Sequence, residues 1–357
     1  MTGRTKRRLV YGGAAALGLA ALAFGVSASG LVPIGASSEH WPATRWFLGF
    51  SMHRSVATHS LGIDPPPLDD PAQLRLGAGH YETGCRMCHG APGTVMPPVP
   101  RAMTPHPPRL PSRTSSMDDA GLYYVVRHGV KFTGMPAWPA VPREDEPWAV
   151  VAFLREMERM EPARYRALTR APTEDAASRD APPIVRETCA RCHGTDGRGR
   201  DGTAPVLAGQ RRAYLRASLV AYAQGDRHSG FMQPVAARMR RAEMRAVAAW
   251  YAGRPGLSEE VAPGEGRGAE IARRGIPSER IPACAPCHGP SAHRRNDDFP
   301  LLAGQDARWI ENQLAAFVQG TRGGTEWLEL MEPVTAHDLE PEARAAVAAY
   351  YAGAEDR

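Results

Sequence analysis

Six cysteines occur in this chain of 357 residues, and all six fall into three copies of one spacing. The copies are Cys85-x-x-Cys88-His89, Cys189-x-x-Cys192-His193 and Cys284-x-x-Cys287-His288. This spacing places two thiols and an imidazole on one helical turn. Three disulfides would be a possible use of six cysteines in an exported protein, and CxxC redox pairs are another. Neither calls for a histidine after the second cysteine, three times over. A covalent haem clamp calls for all three groups, because the thiols form thioethers with the vinyl groups and the imidazole binds iron. His89, His193 and His288 are therefore the expected proximal iron ligands. The six cysteines are the expected attachment points of three haem c groups.

The N-terminus fixes the compartment. Arg4, Lys6, Arg7 and Arg8 precede a run from Leu9 to about Ala28 that carries no charge, and about 20 such residues can span a bilayer as a helix. The basic flank stays in the cytoplasm, so everything after the span lies outside it. Val26-Ser27-Ala28 also offers a small-residue cleavage site. The run is long for a cleaved signal, however, and His40-Trp41, Arg45-Trp46-Phe47 and Phe50 follow it with the aromatic and basic residues of a membrane interface. An uncleaved anchor in a bacterial inner membrane is expected, with the cysteines on the periplasmic side.

The net charge of +5 invites a polyanion-binding reading, but most of it belongs to the four basic residues before the span. Nucleic acid is not an expected partner. The remaining charge is uneven: residues 72–170 carry +4, residues 171–257 carry +6 and residues 258–357 carry −7. Such asymmetry speaks to partners and encounter rates.

The second and third motifs head related segments. Pro205-Val-Leu-Ala-Gly-Gln210 corresponds to Pro300-Leu-Leu-Ala-Gly-Gln305, and Met232-Gln-Pro-Val corresponds to Met331-Glu-Pro-Val. Both segments close on an aromatic pair, Trp250-Tyr251 and Tyr350-Tyr351. A repeat of ~95 residues means whole domains rather than solenoid units. The first segment differs: a proline-rich loop (Pro97 to Pro108) leads to a helix from about Ser116 to His128, then to Gly134-Met135-Pro136-Ala137-Trp138. Its closing helix is expected around Glu146–Leu154, with Pro147 suited to the first turn. Linkers are expected at Ala171–Pro183 and Pro255–Gly266. No alternating strand pattern is present, so the chain reads as helices joined by long loops. The expected organisation is an anchor at 1–35, an interfacial connector at 36–70 and domains at 71–168, 175–255 and 262–355. The second domain has only a short stretch before Cys189, so its first helix must be short.

A CxxCH near each domain's start, a proline-containing loop, a late methionine and an aromatic-bearing last helix together resemble class I cytochrome c. The last two domains look like the diheme class I cytochromes. The resemblance implies a mainly α fold of three tandem class I cytochrome c domains after an N-terminal transmembrane helix. It implies that the carbonyls of Pro205 and Pro300, and of Pro107 or Pro108, orient the proximal imidazoles, and it places Gln210 and Gln305 near haem edges.

Met135, Met232 and Met331 are the expected sixth ligands; a thioether favours ferrous iron and raises the potential. Met239 and Met244 have no repeat counterparts and read as helix core. His128, His228 and His337 are rival ligands whose duller reading is a capping or surface role. Trp138 is expected to cover the first haem. Six-coordinate iron leaves no open position, so the expected function is electron transfer, with the chain carrying no catalytic residue. Expected partners are a periplasmic dehydrogenase, a soluble cytochrome or a terminal oxidase. The alternative is a haem peroxidase or small-molecule reductase with one five-coordinate haem.

Overall fold

The computed structural model describes residues 3–110, 114–170, 176–200, 202, 204–260, 264–289, 296–331 and 339–353. The fold is mainly helical, and among the described residues only isolated β-bridges occur. His337 lies outside the described residues.

Helix α1 (Gly3–Ala28) opens the chain. It is exposed throughout and is the one described helix long and apolar enough to cross a membrane, with a mean hydropathy of 1.9. The connector, expected only to carry interfacial aromatics, contains the 18-residue helix α2 (Pro42–His59). Trp46 and Phe50 stack on its exposed side, one turn apart. Its far end packs against the first haem-motif unit through buried Val56.

In that unit, α3 (Pro71–His80) runs into a π-helical turn (Tyr81–Cys85) and then into α4 (Arg86–His89). The short α5 (Pro98–Arg101), α6 (Asp119–His128), α7 (Pro147–Met157) and α8 (Pro162–Thr169) follow. Local chemistry sets these boundaries. The Asp70 carboxylate accepts from Ala72 N at 2.9 Å, with Pro71 at the first helical position, satisfying donors a helix start leaves free. Asp118 caps α6 by accepting from Gly121 N at 2.7 Å. That cap starts the helix at Asp119 rather than near Ser116. Helix α7 extends to Met157 because its apolar face stays buried over its whole length.

The second unit has a π-helical turn (Val185–Cys189), α9 (Ala190–His193), α10 (Arg212–Gln224), α11 (Met232–Ala236) and α12 (Arg241–Ala252). The third has α13 (Arg267–Arg274), α14 (Ala285–His288), α15 (Ala307–Val318) and α16 (Pro341–Ala352). Each unit has its own apolar cluster, around Phe153, Tyr251 and Tyr351 respectively. Met239 and Met244 lie in the second cluster as core, in line with their sequence reading.

The second and third units interlock through matching residues. Gln210 Nε2 donates to Leu301 O at 3.0 Å and its Oε1 accepts from Leu301 N at 2.9 Å. Gln305 makes the same pair with Val206, at 3.1 and 2.8 Å. Each buried glutamine thus satisfies the backbone of the other unit, and both also line the cavity that holds Cys189, Cys192 and His193. A second strip of the seam joins His228 N to Arg322 O and Gly324 N to Asp226 O. His228 Nδ1 donates to Thr321 O at 2.9 Å, so this histidine belongs to the seam.

In the first unit, α3 and α7 cross at Gly77, where a Cβ would stand 1.9 Å from Ala149 O. A Gly77→Ala variant must part the two helices, and overpacking of this kind costs about 1–3 kcal/mol. Its denaturation midpoint is expected to fall while that of a control, Gly49→Ala, where a Cβ meets nothing within 4 Å, does not; chemical unfolding followed by circular dichroism checks this.

Candidate haem sites

Each CxxCH motif sits on a short helix that ends at its histidine: α4, α9 and α14. The residue after each histidine is glycine with positive φ, at 74° for Gly90, 75° for Gly194 and 93° for Gly289. That backbone region suits glycine and turns the chain away from the imidazole. The CxxCHG extension was visible in the sequence, and it marks the helix end.

The three imidazoles are oriented alike. Nδ1 of His89 lies 2.9 Å from Pro108 O, Nδ1 of His193 lies 3.1 Å from Pro205 O, and Nδ1 of His288 lies 2.9 Å from Pro300 O. A carbonyl oxygen can only accept, so Nδ1 carries the proton and Nε2 presents its lone pair. In the first unit this selects Pro108 over Pro107. Burial lowers the basicity of His89 and His193, against the opposing pull of the proline carbonyl. The shift is toward the neutral form that a metal ligand requires.

A third recurring contact secures the turn. Tyr81 Oη donates to Gly90 O at 2.7 Å, Tyr251 Oη to Gly194 O at 2.9 Å, and Tyr351 Oη to Gly289 O at 3.0 Å. All three tyrosines are essentially inaccessible to solvent. Their aromatic bodies pack the helices as the sequence suggests; the role of their hydroxyls was not legible there. Tyr81 comes from the first helix of its unit, whereas the other two come from the last. Only the folded chain brings them to equivalent places.

All six thiols are unpaired, so no disulfide joins them. Burial pushes the Cys85 and Cys189 thiols up to about 12 and the Cys284 thiol up to about 11. Reactive redox pairs depend on the opposite shift. In the second unit Cys189, Cys192, His193 and Met232 line one cavity, whose walls include Leu215, Leu219 and Val247. Two thiols at one edge, an imidazole Nε2 from one side, a thioether and apolar walls fit a flat, largely apolar macrocycle with a central metal. In the third unit Met331 and Cys284 both pack on the same apolar cluster. Met135 lies in the loop after α6, outside the second unit's cavity. Its carbonyl accepts from Val130 N at 3.2 Å and its N–H donates to Thr133 Oγ1 at 3.1 Å. Next to it, Met103 lies against Gly134, with Cε 2.2 Å from where a Cβ would stand. His128 stacks on Tyr124, with ring centroids 4.6 Å apart.

Trp138 lies in the first unit's apolar cluster, on which Cys85 also packs, and meets His80 (ring centroids 4.6 Å apart) and Phe231 of the second unit (5.4 Å).

Residues 72–154 and 176–250 match the family described as Cytochrome C oxidase, cbb3-type, subunit III. The chain is 42% identical over 142 residues to the thiosulfate dehydrogenase electron acceptor of Stutzerimonas stutzeri, covering 38% of this chain and 64% of that protein. It is 32% identical over 187 residues to cytochrome c4 of Pseudomonas aeruginosa, covering 50% of this chain and 88% of that protein. A solved structure of reduced recombinant cytochrome c4 from Pseudomonas stutzeri is 28% identical, with a TM-score of 0.42, and covers 51% of this chain and 99% of that chain. The chain belongs to the c-type cytochromes, as a relative of the diheme cytochromes c4. It binds haem c covalently and is an electron carrier rather than an enzyme.

Removing the Tyr251 hydroxyl takes from Gly194 O one of its two donors, the other being Gly197 N at 3.3 Å. A Tyr251→Phe variant is expected to lose about 0.5–1.5 kcal/mol of stability, seen as a lower denaturation midpoint, with covalent haem content per chain unchanged by pyridine haemochrome assay.

Proposed function

We propose that the chain is a membrane-tethered relay of three haems c, in units spanning 71–168, 175–255 and 262–355. Cys85/Cys88, Cys189/Cys192 and Cys284/Cys287 attach the haems. His89 and Met135, His193 and Met232, and His288 and Met331 would hold the three irons. The observation that carries this reading is the threefold recurrence of one arrangement: a CxxCH turn whose imidazole Nδ1 is held by a proline carbonyl. Haem c supplies a one-electron iron couple when bound.

The residues around it do the rest. The proline carbonyls fix each imidazole's tautomer and direction, a contact that also strengthens the ligand. The apolar walls keep water from the metal, and the thioethers of the methionines favour the ferrous state. Two protein ligands per iron leave no position for a substrate. The N-terminus is assigned to the cytoplasm and the haem units to the periplasm, because Arg4, Lys6, Arg7 and Arg8 flank α1 on one side. The relatives named as thiosulfate dehydrogenase electron acceptors support a periplasmic dehydrogenase as donor. A soluble cytochrome or terminal oxidase would accept the electrons, with the acidic third unit as the docking end.

An optical redox titration, followed by carbon monoxide added to the reduced protein, tests the ligand assignment. Three low-spin haems, a Met-to-ferric charge-transfer band and no carbon monoxide shift are expected. Met135→Ala, Met232→Ala and Met331→Ala should each open one haem to carbon monoxide and lower its midpoint potential. A wild-type haem that binds carbon monoxide rapidly would overturn the assignment. The anchor has its own test. A signal-cleaved form lacking residues 1–28 should move from the membrane fraction to the soluble periplasmic fraction with its haems attached.

A further inference from the structure

We propose that the second site is an internal relay, reached from the first site across the contact between α3 and Cys192, and that Glu146 is the positioning residue that holds this contact. The proposal rests on the three-haem reading above.

Helix α3 belongs to the first unit, yet it packs on α9, the CxxCH helix of the second. A Cβ on Gly79 would stand 3.0 Å from Cys192 Sγ, so the α3 backbone lies directly against the second unit's attachment sulfur. From Gly79 the chain continues through the π-helical turn to Cys85 without leaving helical geometry. Six residues at ~1.5 Å each make this about 9 Å. One stretch of helix and one van der Waals contact therefore link an attachment point of site 1 to one of site 2. The repeat supplies an internal comparison: Cys287, the counterpart of Cys192, is exposed. The first unit occupies on the second unit a face that the third leaves open, so outside partners reach the relay at its ends.

Helix α3 is held over this contact at both ends. At its N-terminus Asp70 pairs with Arg308 of the third unit. At its C-terminus the His80 ring packs on Trp138 and on Phe231, with centroids 4.6 and 5.2 Å away. Buried Glu146 ties this corner together. Its Oε2 accepts from Trp138 Nε1 at 3.1 Å within the first unit and from Gly230 N of the second at 2.6 Å. Its Oε1 lies 3.3 Å from Arg143, which also donates to His228 O of the second unit at 3.3 Å. A buried carboxylate persists only when paired and hydrogen-bonded, and here one of the three partners, Gly230 N, lies across the seam.

The step moves one electron and nothing else. Ferrous iron at site 1 becomes ferric, ferric iron at site 2 becomes ferrous, and no proton or bond changes. The chain's external redox partner supplies the electron.

The test uses the full-length holoprotein. Flash photolysis injects less than one electron per chain, and the redistribution among haems is followed optically at several protein concentrations. Wild type should show a concentration-independent phase assigned to transfer between sites 1 and 2. Gly79→Leu, which wedges α3 off Cys192, and Glu146→Gln, which places an amide against two donors, should slow that phase by about tenfold or more. Haem content should stay at the wild-type value, the midpoint potentials are measured so that rates compare at equal driving force, and Glu146→Asp should recover part of the rate. Calorimetry supplies a readout that does not depend on turnover: the first and second units should unfold together in wild type and separately in Glu146→Gln. If Gly79→Leu fails to incorporate haem, Trp138→Phe, which removes one donor to Glu146, takes its place. An unchanged rate in correctly loaded variants, or a wild-type phase that scales with protein concentration, would overturn the proposal. Failure of the three-haem reading is seen separately, as fewer than three haem masses on the intact chain.

Discussion

The hydrogen bond from a histidine Nδ1 to a proline carbonyl is the interaction on which each candidate haem site depends. A ligand imidazole has two nitrogens and two tautomers, and only one arrangement presents Nε2 to iron with Nδ1 satisfied. Pro108, Pro205 and Pro300 impose it. Proline suits the role because its restricted φ stiffens the loop. Much of each unit serves to keep that loop facing the CxxCH turn. A buried tyrosine ties the glycine after the histidine into the core, and the apolar clusters bring first and last helices together behind it.

The seams follow a second constraint, the cost of burying an unsatisfied backbone group. Where the second and third units meet, loops rather than helices are covered, and their N–H and C=O groups lose water. Gln210 and Gln305 answer this cost in kind, because a primary amide offers one donor and one acceptor in the pattern of the peptide it meets. The first seam uses charge instead. Glu146 gathers an indole N–H, a backbone N–H and a guanidinium. Two seams built on different chemistry join the three units, with the second unit gripped from both sides.

The helical class, the CxxCH turns and the long apolar first helix could all be read in the sequence, because each depends on residues close together in the chain. Cys85 to His89 span one turn, the uncharged run sits behind four basic residues, and Met239 and Met244 declare themselves as core by lacking repeat partners. The proline carbonyls came from likeness to a family, and the structure chose between Pro107 and Pro108. Other contacts were not legible because a residue's partner lies far along the chain. Trp138, three residues after a candidate methionine, meets Phe231, 93 positions on. The two glutamines, expected near haem edges, line the second unit's cavity and also satisfy backbone 91 and 99 positions away. Spacing carries no information about such pairings.

What the sequence determined alone is the chemistry: which side chains can hold haem, how many such turns exist, and that an uncharged helix precedes them. A cysteine or histidine brings its reactivity wherever it lies, and its near neighbours set its local geometry. What only the tertiary structure decided is how the units meet. That Gly79 lies against Cys192 while Cys287 stays exposed depends on surfaces complementary across hundreds of residues. Such complementarity is a property of packed shapes and satisfied polar groups, and it exists only once the chain has folded.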